Sequence, residues 1–196
     1  MNTVATSTSQ LPSAILAAAL HAFTESGYDT ASIEEICLGS GSSVGSFYHH
    51  FGSKEGVAAA LYKEGIRSYQ AGLLAVLDTP AKPQETVTQL VRHHFTWISD
   101  NTELARYLLQ MGAAPATVAA HSSVRKQNRE LLDAVRSWAQ PHVESRALRF
   151  SEPAQLLAQL LGPSYFFTRA WLAGGVVINE VVVDGFATAA SRAVSF

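Results

Sequence analysis

Between Ala18 and Val57 the chain is punctuated as helices in close succession, and this punctuation constrains the fold more than any other feature. An Ala/Leu-rich stretch from Ser13 to Ser26 ends at Gly27, a natural helix stop. Ser32 followed by Glu35 is a capping box opening a short helix through Gly39. Gly39-Ser40-Gly41-Ser42 is turn chemistry, and Ser43 is placed to cap a second short helix ending near His49. Gly52-Ser53 breaks that helix, and Ser53 caps a long one from Lys54 to about Leu77, ended by Pro80 and Pro83. Two short helices about a tight turn, preceded by a third, make a small unit whose core comes from Phe23, Tyr28, Ile33, Ile36, Phe47 and Phe51. Gly41 permits the sharp turn. The second short helix then presents Ser43, Val44, Gly45, Ser46, Tyr48 and His49 outward.

The remainder continues in helical punctuation. Val87, Leu90, Val91, His94 and Ile98 recur at helical spacing within 84–101. A short helix is expected from Glu103 to Gly112, and another from Pro115 to about Gln140, stopped by Pro141. Pro153 sits in the first turn of a helix from about Glu152 to Ala173, which Pro163 should kink unless it starts a new one. Gly174-Gly175 ends it. The β-branched runs at 176–178 and 181–183 favour strand locally, yet no other segment offers a strand partner, so a last helix is expected from about Asn179. The fold class is therefore all-α. No apolar run is long enough to span a bilayer. Met1 to Pro12 carries no basic start and no apolar stretch, so it reads as a disordered tail. The lone Cys37 permits no intrachain disulfide and suits a reducing cytoplasm.

The composite Phe23, Gly27-Tyr28, Ser32, Gly41, Tyr48-His49-His50-Phe51, Ser53-Lys54-Glu55 resembles the DNA-binding domain of TetR-family transcriptional regulators. Taken singly, each of these residues is explained as a cap or as core; the constellation points to DNA. The resemblance implies a helix-turn-helix domain over 13–53 after a tail at 1–12. It also implies an effector-binding and dimerisation domain over 54–196, with about nine helices in all. It further implies a recognition helix from Ser43 to His49 lying in the major groove. Ser32 would meet a phosphate at a helix N-terminus, and Tyr48, His49 and Lys54 would contact the backbone. The implied partners are palindromic double-stranded DNA, a small-molecule effector and a second copy of the chain. No membrane and no cofactor are implied.

Charge runs the other way. No Lys or Arg precedes Lys54, whereas Glu25, Asp29, Glu34 and Glu35 do, and a DNA-binding segment is ordinarily basic. A second reading is therefore kept: a dimeric small-molecule-binding protein of the same fold with weak or lost DNA binding. In the C-terminal half, His94, Trp97, Tyr107, Met111, Trp138 and Phe166 are candidates to line an apolar effector site. Ordinary core packing is the reading to be preferred for most of them, and for His94 that of a satisfied core histidine. Ala158, Gly162, Tyr165 and Arg169 share a helical face suited to close approach of a partner helix, within one subunit or between two. His93 and His94 point apart, His121 and His142 are isolated, and no metal site is expected. No nucleophile–base pair or phosphate loop is recognisable, so an enzyme is not expected.

Overall fold

The computed structural model describes residues 11–150 and 152–196. Among them are nine helices: α1 (Leu11–Glu25), α2 (Ile33–Ser40), α3 (Val44–Phe51), α4 (Lys54–Leu77), α5 (Pro83–Asp100), α6 (Thr102–Met111), α7 (His121–Glu144), α8 (Pro153–Leu172) and α9 (Glu180–Val194). A 3₁₀ segment, Pro115–Ala120, precedes α7. The described residues hold no strand, only an isolated bridge between Leu148 and Ser195. The expected tail lies outside the described residues except for Leu11 and Pro12, which instead open α1.

Local chemistry sets most helix ends. Ser32 Oγ accepts from Glu35 N at 3.1 Å and the Glu35 carboxylate accepts from Ser32 N at 3.5 Å, closing the capping box. Gly41 closes α2 with φ 64°, a left-handed conformation that a side chain would strain. Ser43 Oγ accepts from Ser46 N at 3.1 Å, and Ser53 Oγ from Gly56 N at 3.0 Å. Asn179 caps α9 by accepting from Val182 N at 3.0 Å, so helix prevails in the β-branched run at 181–183, while 176–178 stays outside any helix.

The expected stop at Pro141 does not occur, and Pro163 starts no new helix. Helix α7 continues past Pro141 to Glu144, and α8 runs unbroken through Pro163. A proline forfeits one N–H but keeps its carbonyl, and Pro141 O still accepts from Ser145 N at 3.1 Å.

The described chain divides into two compact units. The first comprises residues up to Ile66 together with Glu103–Ser123; the second comprises Arg67–Thr102 and Val124–Phe196. This differs from a boundary at Lys54, because α6 and the 3₁₀ segment group with α1–α3. The core of the first unit joins Ile15, Phe23, Ile36, Phe47, Val57, Leu61, Tyr107 and Met111. Tyr107 lies near-parallel to Phe23 at 6.0 Å between ring centroids and donates its hydroxyl to Ala58 O at 2.8 Å. In the second unit α5, α8 and α9 pack mutually. Arg92 on α5 pairs there with Glu180, at 3.2 Å, and with Asp184 on α9. Helices α4 and α5 approach closely: a Cβ on Gly72 would stand 2.0 Å from His93 Cε1, whose ring also donates from Nε2 to Tyr69 O at 3.1 Å.

Candidate nucleic-acid interface

Helix α3 buries Phe47, half-buries Ser46 and Phe51, and exposes its other residues. Phe47 is fully enclosed and anchors the helix, with Phe51 at 6.0 Å and the edge of Tyr48 at 5.7 Å between ring centroids. Ser43, Val44, Gly45, Tyr48, His49 and His50 are exposed, and Ser46 is half-buried. Tyr48 keeps about half its surface accessible (49%), so it is not a core residue. Ser32 and Ser43 are both exposed. Their oxygens accept from backbone N–H groups, which leaves each hydroxyl hydrogen available to donate outward. Leu38, near the end of α2 just before the turn into α3, is 86% exposed, and no pattern of spacing singles it out.

Lys54 is held within the first unit. Its ammonium donates to Tyr28 O at 2.8 Å, Ala31 O at 3.0 Å and Asp29 O at 3.1 Å, and sits 4.7 Å from the centre of the Tyr28 ring. Three donors meet three carbonyls, so no N–H remains for a phosphate. Lys54 pins the loop between α1 and α2 to the start of α4. Its neighbourhood also raises the Tyr28 hydroxyl's pKa, first through burial and then through the Glu55 carboxylate. Lys54→Met is expected to destabilise the first unit by about 1.5–3 kcal/mol, the worth of hydrogen bonds from a charged donor. Thermal melting checks this; an unchanged melting temperature with weakened DNA binding would return Lys54 to the phosphates.

The first unit is acidic as folded. Lys54, Lys63 and Arg106 stand against seven acids, from Glu25 to Glu103. Contacts to a polyanion must come chiefly from hydroxyls, imidazoles and the N-terminal N–H groups of α2 and α3.

The second unit holds a directional chain of hydrogen bonds. The Thr168 hydroxyl donates to Ser164 O at 2.9 Å and accepts from His94 Nε2–H at 2.9 Å. That leaves His94 Nδ1 to accept from the Tyr69 hydroxyl at 2.9 Å. This tautomer is the one the network requires. Burial pushes the His94 pKa down to about 4; a backbone hydrogen bond at Ser164 opposes this and His93 adds to it. Burial likewise holds the Tyr69 hydroxyl protonated, with Tyr165 contributing.

The structure therefore brings only some of the effector candidates together. His94 and Trp97 gather around Tyr69, whose ring centroid is 5.8 Å from His94 and 5.2 Å from Trp97. Trp97 is buried and donates to Ser68 Oγ at 3.2 Å. Tyr107 and Met111 belong to the core of the first unit. Trp138 on α7 is half-buried against His142. Phe166 points outward and is 79% exposed. A surface groove of about 320 Å³ on α7, lined by Arg136, Gln140, Val143 and Glu144, includes none of these candidates. Of the dimer candidates, Ala158, Tyr165 and Arg169 are exposed and Gly162 is half-buried. Phe166 on α8, Val177 in the connection that follows and Val181 on α9 are further exposed apolar residues.

Comparison with known proteins agrees with this geometry. Residues 15–61, from α1 through α3 into α4, match the family described as bacterial regulatory proteins, tetR family. The chain is 26% identical over 177 residues, 88% of its length and 77% of the other's, to the HTH-type transcriptional repressor AcnR of Corynebacterium glutamicum. It is 32% identical over 100 residues to an HTH-type transcriptional repressor of Mycobacterium tuberculosis, spanning 48% of this chain and 49% of that one. Its fold matches a TetR family transcription regulator from Marinobacter aquaeolei with a TM-score of 0.77 at 18% identity, over 95% of this chain and 96% of the other. Residues 15–61 thus match the segment of the tetR family of bacterial regulatory proteins and fold as a helix-turn-helix, on a chain whose fold is similar nearly end to end to that of a TetR family transcription regulator.

Proposed function

We propose that this protein is a homodimeric transcriptional repressor that binds a palindromic operator through α3 and releases it on binding a small, largely apolar molecule. The observation that carries the reading is α3 itself, held by Phe47 and turned outward by Ser43, Val44, Gly45, Tyr48 and His49, inside a segment that matches the family's DNA-binding domain. Two curated relatives bear the description of HTH-type transcriptional repressor, which supports the direction of regulation.

The apolar face of α8 and α9, with Phe166, Val177 and Val181 exposed, supports dimerisation, and two-fold symmetry in the protein calls for two-fold symmetry in the operator. The aromatic cluster about Tyr69, Trp97 and Tyr165 supports an effector site in the second unit. So does the buried Ser164 hydroxyl, which has no hydrogen-bond partner. An effector relieves repression only by binding more tightly to the state whose recognition helices are misplaced for successive grooves.

The acid excess of the first unit and the internal commitment of Lys54 favour a second reading, a sensor of the same fold that binds DNA weakly or not at all. Fluorescence anisotropy with DNA from the neighbouring promoter separates them. Saturable binding at two chains per site, abolished by scrambling the sequence, supports the repressor; equal binding to scrambled DNA supports the sensor.

A further inference from the structure

We propose that Val44 and Gly45 are the sequence-reading positions of α3, and that the operator carries a thymine opposite Val44, recognised through its C5 methyl group. This rests on the DNA-binding reading above and names the chemistry of the base that the site selects.

Between Ser42 and Gly52 there is no Arg, Lys, Asn or Gln. The bidentate pairings that read guanine and adenine in the major groove are therefore absent from α3. Its first turn, where a recognition helix reaches base edges, offers an aliphatic side chain instead. Val44 is 44% exposed at the first helical position and is not part of the core around Phe47. A β-branched apolar residue left in water at that place does nothing for the fold. Of the four bases, thymine alone presents a methyl group in the major groove, and contact with it is apolar.

Gly45 supplies the second, independent observation. Its φ is not in the left-handed region. A Cβ built on it would meet only Ser43 Oγ, at an ordinary 3.9 Å. The fold thus has no need of glycine here, and glycine weakens a helix relative to alanine. A surface that approaches the helix backbone to van der Waals distance does need it. A groove floor is such a surface, and its approach at Gly45 brings the neighbouring Val44 methyls onto the base edges.

The test begins with the full chain and a random double-stranded DNA library. Selection is expected to enrich a thymine at one fixed position in each half-site. Replacing that thymine by deoxyuridine removes only the methyl group and is expected to weaken wild-type binding about fourfold, the worth of one methyl taken out of water. Val44→Ala, which shortens the apolar contact, is expected to narrow the difference between the thymine and deoxyuridine operators. Gly45→Ala is expected to raise the melting temperature and yet weaken binding, a pair of opposite signs that a purely structural role cannot produce. If the selected DNA binds equally well with deoxyuridine at every thymine, the thymine assignment is overturned while DNA binding stands. Unchanged affinity in Gly45→Ala overturns the close approach. If selection enriches no sequence at all, the DNA-binding reading and this proposal fall together.

Discussion

Phe166→Asp is expected to turn the dimer into monomers and to weaken operator binding by at least about a hundredfold, because two half-sites held by one rigid dimer bind with the advantage of effective concentration. Phe166 is 79% exposed on α8, so the substitution leaves the subunit's own core intact and its melting temperature nearly unchanged. What it alters is an exposed apolar side chain on the helix proposed to meet the partner. Gly162→Trp tests the same face differently: a Cβ there meets no atom within 4 Å, so the indole stands outward and blocks a partner helix. Sedimentation velocity at micromolar concentration reads both variants. A monomeric wild type, or variants that remain dimeric, would remove α8 and α9 as the interface.

The second large effect lies at His94. His94→Ala removes the acceptor of the Tyr69 hydroxyl and the donor to Thr168 and leaves a cavity among buried groups. Unpaired buried groups and an unfilled space together are expected to destabilise the protein by about 3–5 kcal/mol. The same residue makes stability depend on pH. Its folded pKa, about 4, lies below the ordinary imidazole value, so the unfolded chain binds the proton more readily. The contribution is complete above about pH 6.5 and is lost as pH falls toward 4, at roughly 1.4 kcal/mol per pH unit, or about 3 kcal/mol in all. Denaturant unfolding of wild type and His94→Gln across that window checks it. The slope difference between the two proteins belongs to His94; parallel curves would mean that the imidazole is not held neutral.

What was legible in the sequence was local. The Ser32/Glu35 box, the left-handed Gly41, the Ser43 and Ser53 caps and the Asn179 start of α9 each depend on residues within a few positions of one another. A helix pattern can state them in full. The partners of Lys54 are not legible in the sequence, because its three carbonyls lie 23 to 26 residues earlier, in a loop whose path only the fold determines. His94 was recognisable as a possible core histidine from its apolar face. Its partners, however, come from α4 and α8, 25 and 74 residues away, and no spacing rule names them. Tyr107 and Met111 carried the composition of an effector site and fold instead into the core beneath the helix-turn-helix. Pro141 lies inside α7, where the sequence predicts a stop.

The central claim, that an acid-rich helix-turn-helix grips an operator mainly through neutral donors, is tested most directly by the salt dependence of operator affinity at pH 8. Each phosphate neutralised adds about 0.9 to the slope of log affinity against log salt. With Lys54 held internally, Lys63 and Arg106 are the other cations of the first unit. The predicted result is sequence-specific binding with a slope no steeper than about 4 for a dimer, the ceiling if both cations of both subunits neutralised a phosphate. The contradicting result is the absence of specific binding at every salt concentration, or a slope far steeper than that ceiling.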